Sequence, residues 1–193
     1  MIFASNNKGK LIEIKSIFNE EEIKSLKDAK IEIEIIEDQD SFYGNALKKA
    51  RGIYNLTKVP VIADDSGLCI NVLNDWPGVI TQRFLREEAT DKERNDAIIK
   101  KMEQFKHCER EAKVICNLVY YDGINIITGE GILKGKISQE PRGSNGFGFD
   151  EIFELKDGRT LAELSSEEKN KISARYLAAV DLKEKLKNIK RTR

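Results

Sequence analysis

Two adjacent carboxylates, Asp64 and Asp65, follow the apolar run Val59-Pro60-Val61-Ile62-Ala63, and Ser66 and Gly67 come directly after them. Carboxylates at the end of a buried strand can hold a hard cation through oxygen, and a Ser-Gly pair lets backbone amides approach a ligand. The same residues are also good turn formers, so the stretch reads about equally well as an ordinary turn. Three other polar clusters decide between these readings. Ser5-Asn6-Asn7-Lys8-Gly9-Lys10 precedes a helical pattern, where free amides and the positive end of a helix favour phosphate and Lys8 and Lys10 add charge. It is not a P-loop, and its plainer reading is helix capping by Asn or Ser. Gly143-Ser144-Asn145-Gly146-Phe147-Gly148-Phe149-Asp150 can lay backbone against a flat ring while an aromatic side chain stacks on it, or can simply turn its phenylalanines into the core. In Glu167-Glu168-Lys169-Asn170-Lys171-Ile172-Ser173-Ala174-Arg175, Lys169 and Arg175 can meet a phosphate or a base edge, or remain solvated on a helix face.

Each cluster sits where an element should begin or end. Residues 1–4 read as a short buried strand, and Leu11, Ile14, Ile17 and Phe18 recur at helical spacing. Strict alternation over residues 31–35 predicts a strand with one wet face; residues 45–56 are helical in composition, and residues 59–63 form a strand ending at the acids. Thr90 and Glu93 form a capping box for a helix running to about Phe105. Strands are expected over 112–121 and 124–134, joined by a tight antiparallel hairpin at Asp122-Gly123. Ser165 and Glu168 open a last helix, whose apolar stripe runs through Ile172, Tyr176, Ala179, Val180, Leu182 and Leu186. The element order is that of an α/β protein with a mixed sheet.

Composition narrows the functional classes. At 193 residues the chain can bury a substantial core as one domain over residues 1–193, with or without two lobes. Its 33 basic and 33 acidic side chains cancel, so no whole-protein field would gather nucleic acid or an anionic membrane. Cys69, Cys108 and Cys116 are odd in number and show no metal-ligand spacing, which fits reduced thiols in the cytoplasm. No apolar run has membrane-spanning length, and the N-terminus lacks a signal-peptide core. His107, the one histidine, is read as a loop residue and lies in none of the four clusters, which removes Ser-His and Cys-His nucleophiles. Trp76, before Pro77-Gly78, is assigned to the core or to a dimer surface.

The clusters occur in order with Asn-Ala-Leu-Lys-Lys-Ala at 45–50, Ala-Asp-Asp-Ser-Gly-Leu at 63–68, Pro-Gly-Val at 77–79 and Gly-Phe-Gly-Phe-Asp-Glu-Ile-Phe at 146–153. In this combination the chain resembles, over essentially its whole length, the inosine/xanthosine triphosphate pyrophosphatase family. The resemblance implies an elongated two-lobed α/β fold, a mixed sheet flanked by helices, with the site in a cleft between lobes. It also implies magnesium-dependent hydrolysis of ITP, dITP or XTP to monophosphate and pyrophosphate, by a homodimer. By the same resemblance Asp65 is the metal-linked general base, Asp64 its neighbour in metal binding or charge balance, and Ser66 a substrate contact. Residues 5–10 and Lys49 would hold the triphosphate, with Asn7 and Lys10 in direct contact. Phe147, Gly148, Phe149 and Asp150 would form a wall of the base pocket, Phe149 stacking on the purine, and Lys169 and Arg175 would reach the nucleotide.

Two departures qualify that picture. The family motif Ser-His-Arg reads Ser173-Ala174-Arg175 here, so Ala174 replaces a ring donor beside the 6-oxo edge of the base. Bacterial members also commonly carry a Glu just before the Asn-Ala pair, where this chain has Gly44; Glu37, Asp38 and Asp40 lie upstream as candidate replacements. A nucleotide-binding protein that kept the fold but lost turnover is therefore the alternative to an enzyme. A nucleic-acid-binding module is disfavoured by the neutral charge and the lack of a basic, aromatic-lined face.

Overall fold

The computed structural model describes residues 1–18, 23–33, 35–86 and 88–190. It is a mixed α/β fold whose six-stranded sheet has the order β1-β2-β4-β5-β6, with β3 pairing β2. The strands are β1 (Ile2–Phe3), β2 (Val61–Ile70), β3 (Trp76–Pro77), β4 (Glu111–Tyr121), β5 (Ile126–Ile137) and β6 (Phe153–Glu154). The helices are α1 (Lys8–Ile17), α2 (Phe42–Thr57), α3 (Asp91–Met102), α4 (Ser166–Lys169) and α5 (Ala174–Lys190). The chain divides into two compact units: Met1–Ser66, Cys116–Gly131 and Ala174–Arg193 form the first, and Gly67–Ile115 with Ile132–Ser173 the second.

In the first unit β1 pairs in parallel with β2, matching Ile2 to Val61 and Phe3 to Ile62. A core of Ile2, Ala46, Ala50, Ile53, Val61, Ala63 and Val119 sits between this part of the sheet and α2. Helix α1 packs on α5, and the Lys183 ammonium donates to the Ile17 carbonyl at 2.6 Å, placing a cation where the end of α1 leaves carbonyls unpaired. Helix α5 also approaches β5 closely: a Cβ on Gly131 would stand 2.0 Å from the Ala174 carbonyl oxygen. The alternating residues 31–35 form no strand among those described, Glu34 lying outside them; Ile31 and Ile35 pack against the core while the Ile31 amide bonds back to the Leu26 carbonyl. Burial of two apolar side chains thus needed no ladder.

In the second unit β3 pairs antiparallel with β2, and β6 with β5. The Thr90–Glu93 capping box is formed, and α3 ends at Met102. Trp76 meets the Phe84 ring edge-on at 4.9 Å, and the Lys101 ammonium lies 4.9 Å from the Trp76 ring centroid. Buried Arg110 donates to the carbonyls of Met102, Ile137 and Ser138, tying the end of α3 to the end of β5.

Three expectations are refined. Strand β2 does not stop at the acids but continues to Ile70, because Leu68, Cys69 and Ile70 are buried and β3 pairs beside them. The β4–β5 connection is a four-residue loop in which the Asp122 carboxylate accepts from the amides of Ile124 and Asn125, an Asx-type closure in place of a two-residue turn. The single last helix is two: the Ser165–Glu168 capping box starts α4, which ends after Lys169, and α5 restarts at Ala174 behind Ser173. Cys69 and Cys116 are buried free thiols, and burial pushes them up to about 11 and about 12, keeping both protonated and unreactive. The side chain of His107 lies outside the described residues.

Candidate active site

Because β2 runs through the acids, Asp64, Asp65 and Ser66 are successive strand residues and their side chains alternate between the two faces of the sheet. Asp64 and Ser66 share one face. There Arg175 donates to Asp64 Oδ2 through Nε at 3.3 Å and Nη2 at 3.2 Å, and through Nη2 to Ser66 Oγ at 3.1 Å. Lys10 Nζ lies 2.9 Å from the same Asp64 oxygen, and Glu13 Oε2 accepts from Arg175 Nη1 at 2.5 Å. Asp65 has different partners: its Oδ2 accepts from Asn45 Nδ2 at 2.9 Å and its Oδ1 from the Ser66 amide at 2.9 Å.

This separation gives two neighbouring carboxylates opposite electrostatics. Burial opposes ionisation of Asp64, but Lys10, Arg175 and Lys49 outweigh it and hold the group well below the usual carboxylate range. Burial also opposes ionisation of Asp65; Lys49 and Asn45 only partly offset it while Glu37 and Asp64 add repulsion, so its pKa is pushed up to about 6. Asp64 is a permanent anion, and Asp65 is a carboxylate able to take up a proton near neutral pH. A base poised this close to the working pH is what proton abstraction from water requires.

Lys49, on α2, pairs with Glu37 at 2.6 Å, and although burial opposes its charge the surrounding Asp64, Glu37 and Asp65 raise its pKa. Of the three acids upstream of Gly44, Glu37 is therefore the one placed at this site. Asp38 instead pairs with Lys48 and is half exposed, and Asp40 is exposed. Asn45 connects the two parts: its Oδ1 accepts from the Gln39 amide at 2.9 Å while its Nδ2 serves Asp65. At the start of α1, Asn7 caps the helix by accepting from the Lys10 amide, Ser5 Oγ accepts from the Asn7 amide, and Asn6 Oδ1 accepts from the Lys27 amide. The first-turn amides of Lys8 and Gly9 are outside the helix ladder, and the Lys8 side chain is exposed.

In the second unit the Gly143 to Asp150 segment is held from within. Buried Asp150 accepts through Oδ2 from the Phe147 amide at 2.8 Å and from Lys169 Nζ at 2.5 Å, and the Lys169 ammonium lies 4.3 Å from the Phe147 ring centroid. Asp91 accepts from the Gly148 amide at 2.7 Å, and Asn95 donates to the Gly148 carbonyl at 3.0 Å. Phe149 is half-buried and lines a small hollow with Thr81, Phe84, Asn95 and Ile98.

The structure thus brings Lys10, Asp64, Ser66 and Arg175 into direct contact, sets Lys49 and Asp65 in their field, and joins Phe147, Asp150 and Lys169 in a second group. Ala174 is buried and presents a methyl group where a ring was expected. Sequence reading missed Glu13, Asn45, Asp91 and Asn95. The Asn-Ala-Leu-Lys-Lys-Ala motif carried Asn45, but the other three look like ordinary helix polar residues until their partners are seen.

Four carboxylates (Glu13, Glu37, Asp64, Asp65) here meet three cations (Lys10, Lys49, Arg175), and the buried Asp64 Oδ1 has no hydrogen-bond partner. Oxygen-only donors and an orphaned carboxylate oxygen fit a hard divalent cation. Among the described residues no three acidic, Cys or His side chains are arranged as a cage.

A family model described as the Ham1 family matches residues 1–185. Proteins named dITP/XTP pyrophosphatase are similar over nearly full length: one from Clostridium tetani is 41% identical, covering 97% of this chain and 96% of that protein, and one from Aquifex aeolicus is 41% identical with the same coverage. Among solved structures, a HAM1 protein from Coxiella burnetii superposes with a TM-score of 0.88 at 36% identity, covering 97% of this chain and 98% of that one. The Staphylococcus aureus Ham1 protein gives a TM-score of 0.87 at 30% identity, covering 97% of both chains.

Proposed function

Since the chain belongs to the Ham1 family, we propose that it is a nucleoside triphosphate pyrophosphatase that hydrolyses nonstandard purine triphosphates such as dITP, XTP and ITP to the monophosphate and pyrophosphate. The names of the relatives support this substrate class. The observation that carries the reaction type is Asp65, a buried carboxylate at about 6, fixed by Asn45 beside a cluster of cations. In this reading the amides of residues 5–10, with Asn7, Lys10 and Lys49, bind the triphosphate. Asp65 takes a proton from water as the water oxygen bonds to the α-phosphorus. The bond from that phosphorus to the bridging oxygen breaks, and pyrophosphate leaves with the electron pair.

A magnesium ion, when bound, would neutralise phosphate charge; Asp65 and Asp64 are the residues that would hold it, together with the substrate phosphates. Phe149 supplies a stacking face for the purine, with Phe147, Gly148, Asp150 and Lys169 around it, and Arg175 with Ala174 completes the nucleotide contacts. The protein acts in the cytoplasm as a homodimer. A binding protein without turnover is less well supported, because relatives similar over nearly the whole chain are named as pyrophosphatases.

The test is release of pyrophosphate and monophosphate from dITP, XTP, ITP, GTP and ATP with magnesium. Release from the first three, falling by about 10²- to 10⁴-fold in Asp65→Asn, is expected. No release from any of them would sink the reading, and full activity in Asp65→Asn would move the base elsewhere.

A further inference from the structure

Gly148 stands between the two aromatic residues of the Gly-Phe-Gly-Phe segment and has a φ of +65°, in the left-handed region. No Cβ restricts it, so in isolation it is among the freest joints in the chain and would let Phe149 sample many orientations. In the fold both of its peptide groups are pinned from α3. Its amide, in the peptide plane shared with Phe147, donates to Asp91 Oδ2; its carbonyl, in the plane shared with Phe149, accepts from Asn95 Nδ2. Fixing two successive peptide planes fixes the φ and ψ of the residue between them.

The two clamping side chains are themselves held. Asn95 is only 2% exposed, and its neighbours around Phe149 include Phe84 and Ile98. Asp91 is paired with Arg94 at 2.9 Å in the first turn of α3, whose start is set by the Thr90–Glu93 capping box. The clamp therefore rests on a helix rather than on a loop, and it reaches the aromatic segment through one residue.

We propose that Asp91 and Asn95 are positioning residues that preorganise the nucleobase wall, setting the pose of Phe149 through the two peptide planes of Gly148. This deepens the function proposed above and rests on it. Neither side chain is assigned contact with substrate. Their contribution is to prevent Gly148 from sampling other conformations, so that ordering of the wall is complete before the base arrives.

A probe without a base separates this role from general damage. KM for XTP and Ki for tripolyphosphate, taken as a competitive inhibitor, are to be measured for the wild type, Asn95→Ala, Asp91→Ala and Asp91→Asn. Losing one clamp hydrogen bond should raise KM about tenfold, lower kcat less, and leave the tripolyphosphate Ki within about twofold. Asp91→Asn keeps an acceptor oxygen for the Gly148 amide and should recover most of the lost affinity. Asp91 is about half exposed, so Asp91→Ala carries the test even where Asn95→Ala does not fold. Unchanged KM in the alanine variants overturns the proposal, as does an equal loss of XTP and tripolyphosphate affinity or an absence of recovery in Asp91→Asn. An inactive wild type would instead overturn the pyrophosphatase reading.

Discussion

At the scale of single residues, adjacency in sequence and partnership in space come apart. Asp64 and Asp65 are neighbours in the chain, yet the strand pleat gives Asp64 to Lys10 and Arg175 and gives Asp65 to Asn45. The consequences for pH follow from the Asp65 value of about 6. In the proposed reaction Asp65 acts in its ionised form, so log kcat/KM should rise with pH below about 6 and level off above it; a flat profile between pH 5 and 8 would remove Asp65 as the base. Stability runs the other way. A carboxylate whose folded pKa is raised contributes fully below the unfolded value of 3.8, and that contribution is lost as pH rises through about 6. Asp65→Asn should therefore melt higher than the wild type at pH 8, by up to about 3 kcal/mol of unfolding free energy, with the gap closing towards pH 4. Thermal melts at the two pH values check this, and a gap that grows on acidification would refute it.

At the scale of elements, the pieces with strong local signals were legible. Capping boxes at Thr90–Glu93 and Ser165–Glu168 mark real helix starts, and the apolar strands of β4 and β5 lie close to where period and turn chemistry put them. What failed depended on tertiary partners. The Ser66-Gly67 pair looks like a turn in isolation, but pairing with β3 and burial of Leu68 and Ile70 draw it into a strand. The described residues of 31–35 pair with no strand, and no local rule shows that α4 stops after one turn. The site was half legible for the same reason: Lys10, Asp65 and Arg175 belong to motifs, whereas Glu13, Asp91 and Asn95 act through contacts 53 or more positions away. The close seat of α5 on β5 carries the element-scale prediction. In Gly131→Ala the new methyl would meet the Ala174 carbonyl, and α5 would have to lift at the turn that bears Arg175. Such overpacking costs about 1–3 kcal/mol. A lower melting temperature with a raised KM for XTP is expected; wild-type values of both would show that α5 can shift without moving Arg175.

At the scale of the whole molecule, zero net charge means that a polyanionic substrate is caught by a local arrangement rather than by a long-range field. The proposed homodimer predicts a light-scattering mass of twice the 22.0 kDa chain, and a mass of one chain at micromolar concentration would refute it. Asn45 is a point where chemical ageing would strike the site directly. One side-chain amide both tethers the Gln39 turn and donates to Asp65, so its hydrolysis to a carboxylate would replace a donor with a like charge against the base. That conversion takes up water and releases ammonia, the same class of decay that turns an aminopurine into an oxopurine. Backbone attack on that amide needs a conformation that helix α2 does not permit, so the fold slows in its own side chain the ageing reaction whose nucleotide products it is proposed to remove.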